Sequence, residues 1–397
     1  MRVTQSLNQT QFLTAISSLE SNLAQTQNQI SSNLSFTTAS QNPTAAGAVN
    51  NYNQALAQSQ QYTTNANSAQ TNLNTEDQAL SQVQNQLQTL RDLALQANSG
   101  TLTNSNRTAI ATQAAQIQNS LLSLANTTNG NGEYIFGGFA VQTQPFTASA
   151  TGATYNGDQG SRQVQIAAGQ SVADGDNGNA VFNQIKTGNG TFTVTANASN
   201  TGSGLIGATS VWTPSAFVGG PFTINFSSPT NYTVTNAANV QVAAGTYADG
   251  QAISFSGAQV TLSGTPATGD SFSVAPSTNQ SMFTTVQNLI TALQTGVTNG
   301  ASNTALSNSI GNSINNIDQV LAQMSDVRAT VGGRLNAITT QQSVSSSQQV
   351  QLKTTISSLQ GLDYATAITT LDQQNTTLSA ALQAYSLTQG LTLFKYL

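Results

Sequence analysis

Acidic and amide side chains in one short glycine-punctuated run are the first residues of this chain that could do chemistry. Asp174-Gly175-Asp176-Asn177-Gly178-Asn179 spaces oxygen ligands as a calcium loop does. The position where an EF-hand loop would close with a bidentate Glu is Ile185, so a solvated β turn is the favoured reading. Glu76-Asp77, and Asp318 with Asp326, could supply paired carboxylates for glycoside hydrolysis, but each lies on a polar helical stretch and reads as solvated surface. Gly137-Gly138 lacks the rest of a phosphate loop and reads as the place where the chain leaves a helix pair. Gly332-Gly333 lies inside a helical run, where a bend and a close-packing point fit equally well. The 397 residues include no Cys and no His, which removes a disulfide framework, a thiol nucleophile, an imidazole base and the usual zinc sites. No catalytic, cofactor-binding or metal-binding residue is assigned, and no cofactor is expected.

The elements that would position any site are set by an unusual composition. Only 6% of residues are charged, where about a quarter is ordinary, and Gln, Asn, Ser and Thr fill the surface instead. Nine basic against fourteen acidic residues leave no basic patch, so nucleic acid is not an expected partner. The N-terminus, Met1-Arg2-Val3-Thr4-Gln5-Ser6, has no apolar signal core, and no run of about eighteen apolar residues is present to span a membrane. Taken alone this reads as cytosolic, leaving open export without a cleaved signal. A surface short of charge lacks the repulsion that keeps proteins apart, which suits a subunit that packs against copies of itself.

Helical periodicity dominates both ends. Phe12, Ile16, Leu19, Leu23, Ile30 and Leu34 form one stripe, and Tyr364, Ile368, Leu371, Leu378, Leu382 and Tyr385 form a second, with Asn375 in the slot between Leu371 and Leu378. Such narrow seams need a partner helix, and each is the obvious mate of the other. A long helix over 44–97 carries two heptad series, Leu73, Leu80, Leu87, Ala94 and Glu76, Val83, Leu90, Ala97. Ile110, Ala114, Ile117, Leu121 and Leu124 continue the spacing after Gly100, and it returns at Phe283, Val286, Ile290 and Leu293, then from Leu306 to Leu359.

Between the helical ends the composition changes class. Of 31 glycines 24 lie from Gly130 to Gly300, and six of seven prolines from Pro145 to Pro276. Alternating runs such as Thr191-Phe192-Thr193-Val194-Thr195 and Phe222-Thr223-Ile224-Asn225-Phe226 read as antiparallel strands. The expected fold class is therefore α+β, a long antiparallel helical bundle or coiled coil built from both chain ends with a central antiparallel β-rich insertion. The pattern divides it as 1–40 with 364–397 as a terminal coiled-coil layer, 41–146 with 278–363 as a helical bundle, and 147–277 as the β-rich outer insertion. The terminal pair has the least to lean on, and is expected to gain its order from neighbouring subunits.

Several segments carry a resemblance. Met1-Arg2-Val3-Thr4, Leu90-Arg91-Asp92-Leu93-Ala94-Leu95-Gln96-Ala97-Asn98, Gly132-Glu133-Tyr134-Ile135-Phe136-Gly137-Gly138-Phe139, Tyr155-Asn156-Gly157-Asp158, Gly333-Arg334-Leu335-Asn336, Asp363-Tyr364-Ala365-Thr366-Ala367-Ile368 and the closing Leu391-Thr392-Leu393-Phe394-Lys395-Tyr396-Leu397 resemble the bacterial flagellin superfamily, in family order. The ending and the Glu133 to Phe139 motif resemble its hook-filament junction family, since flagellins proper tend to end in Leu-Leu-Arg. The chain departs from the pattern at Ser31-Ser32-Asn33-Leu34 and at Gln41-Asn42, where the family has a Ser-Gly pair with a basic residue and an acidic pair.

The resemblance implies a non-enzymatic structural adapter, secreted by flagellar type III export and polymerising extracellularly at the hook-filament junction of the flagellum. Its implied partners are hook-associated protein 1, flagellin, further copies of itself and a cytoplasmic export chaperone, with no membrane contact. The implied assembly contacts are Phe12, Ile16, Leu19, Leu23, Ile30, Ile368, Leu371, Leu378, Leu382, Tyr385, Leu391, Leu393, Phe394, Tyr396 and Leu397. Flagellin, the filament subunit itself, is the alternative, and a secreted enzyme carried on flagellin-like helices a distant one.

Overall fold

Residues 2–217 and 220–390 are described by the computed structural model. Helices α1 (Arg2–Ser32), α2 (Pro43–Ala97) and α3 (Asn104–Ala125) open the chain, and α4 (Met282–Gln294), α5 (Gly300–Gln360) and α6 (Tyr364–Gly390) close it. Their limits follow local chemistry. Asn33 takes a left-handed φ of 58° just past α1, and Pro43 stands first in α2 with the Asn42 side chain accepting from the Ala45 N–H at 3.1 Å. Thr103 and Ser281 cap α3 and α4 by accepting from the backbone N–H of Asn106 and Phe283. Among the described residues no helix is long and apolar enough to cross a membrane.

Strands fill the middle in antiparallel pairs. β1 (Phe146–Ser149) pairs β2 (Gly152–Tyr155), and β3 (Gln163–Ala167) pairs β4 (Gln170–Ala173). There follow β5 (Ile185–Lys186), β6 (Phe192–Ala196), β7 (Leu205–Val211), β8 (Phe222–Ser228), β9 (Asn231–Asn236), β10 (Gln241–Thr246), β11 (Ala252–Phe255), β12 (Ala258–Ser263), β13 (Ser271–Pro276) and β14 (Asn279–Gln280). One sheet runs β10-β9-β8-β13-β6, a second β11-β12-β7, and β14 pairs β5. Period-two burial along β8, β12 and β13 sends Phe222, Ile224, Phe226, Val260, Leu262, Phe272 and Val274 into one core shared by the two larger sheets.

Contacts divide the chain into two units, Met1–Thr64 with Gln341–Leu397, and Asn65–Thr340. Helices α2 and α5 each continue through a boundary of this division. In the second unit, both heptad series of α2 are buried, with Leu73, Leu80, Leu87, Ala94, Val83 and Leu90 at 0% exposure. All but Leu73, which joins Ile166, Val172, Val331 and Ile338 in a separate cluster, pack with α3, α4 and the first part of α5 in a core that also takes the rings of Phe136, Phe146, Phe182 and Phe283. Phe146 is the centre of that ring group, 5.6 Å from Phe182 and 5.1 Å from Phe283. Gly152, at φ +112°, lets the β1–β2 turn lie against α4, because a Cβ there would strike the Phe283 backbone.

Candidate assembly surface

In the first unit α1 and α6 run antiparallel. The Phe12 and Tyr385 rings are 6.0 Å apart, and at the other end the Tyr364 hydroxyl donates to the Ile30 carbonyl at 3.2 Å. Phe12, Ile16, Leu19, Leu23, Thr26 and Ile30 are the less exposed positions of α1, spaced four-three-four-three-four, with Ile16 at 8% and Thr26 at 5% exposure. On α6 the matching row is Ala367, Leu371, Gln374, Leu378, Ala381 and Tyr385. The Gln374 Oε1 is buried there without a hydrogen-bond partner.

This row is one of two heptad frames on α6. The frame read from the large residues, Tyr364, Ile368, Leu371, Asn375, Leu378, Leu382 and Tyr385, shares only Leu371, Leu378 and Tyr385 with the buried row. Ile368 is 50% exposed, Leu382 47% and Tyr364 46%, and Asn375 is exposed. Ala367 and Ala381 belong to the less exposed row, and Ile368 and Leu382, one position on, stand at its exposed edge. The sequence-derived residues Phe12, Ile16, Leu19, Leu23, Ile30, Leu371, Leu378 and Tyr385 thus lie on the less exposed faces of α1 and α6, while Ile368 and Leu382 are about half exposed. Leu391, Leu393, Phe394, Tyr396 and Leu397 lie outside the described residues.

The connection that departs from the family pattern is held by its own amides. The Gln29 side chain donates to the Ser35 carbonyl at 2.6 Å, and Ser35 N–H donates to the Gln360 carbonyl at 2.8 Å. Gln41 Oε1 accepts from Thr37 N–H at 2.7 Å. Gln41 and Asn42 thereby serve as backbone acceptors, a role for which a charge is not required.

Four of the carboxylates that suggested chemistry, Asp77, Asp174, Asp176 and Asp318, are committed to arginines in the second unit, and two expectations are corrected. The 174–179 run is not a solvated turn, since Asp174 is 6% exposed and 2.7 Å from Arg162 Nη2, and Asp176 meets Arg334 through both oxygens at 2.9 and 3.0 Å. Asn177 Oδ1 then accepts from Ala180 N–H at 2.9 Å, opening the π-helical turn Asn179–Asn183. Glu76 is not surface either, at 1% exposure. Its heptad slot decided its burial, whereas its polarity had argued the opposite. Asp77 pairs Arg328 at 2.8 Å and Asp318 pairs Arg91 at 2.6 Å, leaving Asp326 exposed. Among the described residues no cluster of three or more acids is placed to hold a metal ion. Arg162 had no sequence signal. Nor did Arg334; Arg328 did, because it lies a heptad step from Leu321 and Leu335 on the seam of α5 and so had to face another element.

The Gly137-Gly138 turn is built for a close approach. At φ +70°, Gly138 leaves no room for a Cβ against Asp158, whose Oδ1 accepts from Phe139 N–H at 2.9 Å and Gly160 N–H at 2.7 Å. Those two donors, the Phe139 bond first, hold the exposed Asp158 carboxyl below its usual pKa. Gly332 and Gly333 have open space about them inside unbroken α5, which excludes the close-packing reading.

Comparison with known proteins agrees with this architecture. Residues 3–140 match the bacterial flagellin N-terminal helical region, 314–397 the bacterial flagellin C-terminal helical region, and 195–276 the D2-like domain of flagellar hook-associated protein 1. Flagellar hook-associated protein 3 of Salmonella typhimurium is 31% identical over 185 residues, 47% of this chain and 58% of that protein, so the chain spans little more than half the length of this relative. The crystal structure of FlgL from Xanthomonas campestris is 35% identical with a TM-score of 0.73, covering 77% of this chain and 99% of that one. Hook-associated protein 3 from Legionella pneumophila is 30% identical with a TM-score of 0.75, covering 78% and 98%. The chain belongs to the flagellar hook-associated protein 3 family of the bacterial flagellin superfamily.

Proposed function

We propose that this chain is the structural adapter at the hook-filament junction, assembling outside the cell between hook-associated protein 1 and the flagellin filament. The observation that carries the reading is the 30–35% identity to hook-associated protein 3 structures over nearly their whole length, with flagellin-type helical regions at both ends. The two heptad frames of α6 support it physically. One frame is closed by α1, and the other leaves Ile368 and Leu382 half exposed for neighbouring subunits, with copies of this chain and flagellin as the natural occupants. Transit through a type III channel with a cytoplasmic chaperone on the terminal helices completes the proposal. The role is non-enzymatic, in keeping with acids that are paired with arginines.

The test is electron microscopy of cells lacking the protein, together with assay of the medium. Hooks without filaments and flagellin shed to the medium are expected; normal filaments would overturn the proposal. Long filaments formed by the purified chain alone would instead indicate a filament subunit.

A further inference from the structure

Glu76 is a buried carboxyl that the assembly reading does not use. It lies on α2 between Leu73 and Leu80; neither of its oxygens has a well-aligned hydrogen-bond partner, and the polar groups that act on them are the backbone and side chain of Asp176. Two charged groups face it, Asp176 from the 174–178 loop and Arg334 from α5, and these are bound to each other. The nearby charges are also committed, Asp174 to Arg162, which lies 3.8 Å from Glu133, and Asp77 to Arg328. The loop backbone passes close by, since a Cβ on Gly175 would stand 3.9 Å from Glu76 Oε2 and 3.5 Å from the Ile135 carbonyl.

An ionised Glu76 would bring a second carboxylate into a space whose facing guanidinium already spends both Nη atoms on Asp176. A neutral carboxyl fits that space. Burial, and after it the charge of Asp176, push the Glu76 carboxyl well above its ordinary pKa, with Arg334 opposing.

We propose that Glu76 is a proton-operated latch for the 174–178 loop: protonated, it lets the Asp176–Arg334 pair clamp the loop onto α2 and α5, and ionised, it competes with Asp176 for Arg334 and loosens the clamp. Release does not stop at the loop. Gly178 N–H donates to the Phe136 carbonyl at 2.9 Å, and Phe182 in the following π-helical turn stacks 5.0 Å from Phe136, so loosening reaches the aromatic core.

The sign follows from linkage. A carboxyl whose folded pKa is raised contributes fully below its unfolded value and loses that contribution as pH rises through the folded value. The experiment uses the full-length chain, reading the Glu76 carboxyl by carbon-13 NMR and the exchange protection of amides 174–182, corrected for intrinsic rate, from about pH 5 to about pH 9. Glu76 is expected to titrate above the ordinary glutamate range, with loop protection falling about tenfold or more through the same step. Glu76→Gln is expected to keep that protection flat. Protection unchanged through the Glu76 step, an ordinary Glu76 titration, or the same fall in Glu76→Gln would each overturn the latch. If Glu76→Gln does not fold, the wild-type carboxyl titration and loop protection decide the matter by themselves.

Discussion

Replacing Ile368 and Leu382 together with Gln separates the two faces of α6. Both side chains are already about half in water, at 50% and 47% exposure, so within one chain the change forfeits about 0.7 to 1.5 kcal/mol each, half of the roughly 1.5 to 3 kcal/mol for a fully buried aliphatic side chain. Ile16→Ala is the contrast: at 8% exposure against α6 it leaves a void and costs about 2 to 3 kcal/mol. If the outer frame is closed by neighbouring subunits, the still-exposed halves of Ile368 and Leu382 are worth about 2 kcal/mol together, raising the concentration needed for assembly about thirtyfold. The assay is addition of the purified chain to isolated hooks carrying hook-associated protein 1, titrated by concentration and scored by sedimentation, with hydrogen exchange across α1 and α6 as the control. The double Gln variant should lose no more protection in the monomer than Ile16→Ala does, yet fail to add at wild-type concentrations. Ile16→Ala should lose protection in both helices. Wild-type addition by the double variant would refute the two-frame reasoning.

Three further outcomes test the second unit. Arg334→Ala should cost more than Arg91→Ala in denaturant unfolding, about 2 kcal/mol against less than 1, because the Arg334–Asp176 pair is 22% and 19% exposed whereas Arg91 and Asp318, also joined by two hydrogen bonds, are 38% and 41% exposed. Gly332→Ala with Gly333→Ala should raise stability by about 1 to 2 kcal/mol in total, since both sites are helical with open space for a Cβ; a loss of stability would reveal a bend that needs glycine. Asp158, held below its ordinary pKa, supports the Gly137–Gly160 turn above the usual aspartate range and loses that support as pH falls through its lowered value. The amide shifts of Phe139 and Gly160 should therefore move together at a pH below the ordinary aspartate range, and Asp158→Asn should abolish the movement.

The helices and their seams were legible because period reports burial directly. The two series of α2 read from sequence are buried to the last member, including Glu76, whose place in the period outweighed its charge. The strands at Phe192 and Phe222 were equally plain from alternation and glycine punctuation. What the period could not resolve was which frame of α6 meets α1. Two frames share Leu371, Leu378 and Tyr385, and large residues drew the reading to Ile368 and Leu382, whereas the less exposed row runs through Ala367 and Ala381. Asn375 accordingly faces solvent, and Gln374 is the amide inside the seam. The arginine clamps on Asp174 and Asp176 were illegible for a different reason. They join elements 12 and 158 residues apart, and nothing local in the 174–179 run announces a partner at that range.

The arginine–aspartate pairs between α2 and α5 also explain how a chain with so little charge keeps one register along helices this long. Seams made of Leu, Ile, Ala and Gln repeat every seven residues, so sliding one helix by a heptad exchanges one apolar contact for another at small cost. Arg91 with Asp318 and Arg328 with Asp77 fix the α2–α5 pairing in a single place, and Gln84 lies 3.3 Å from Ser325 in the same register. A slip of one heptad would set Arg91 opposite Gly311 or Ser325 and leave Asp318 without a cation. Each of these pairs is exposed enough to contribute little to stability in the correct register. Their effect is a penalty on the wrong one, which a surface crowded with interchangeable Lys and Glu would blur. Sparse charge therefore serves two ends in this chain: it leaves outer faces that do not repel other copies, and it makes each remaining ion pair a unique alignment mark.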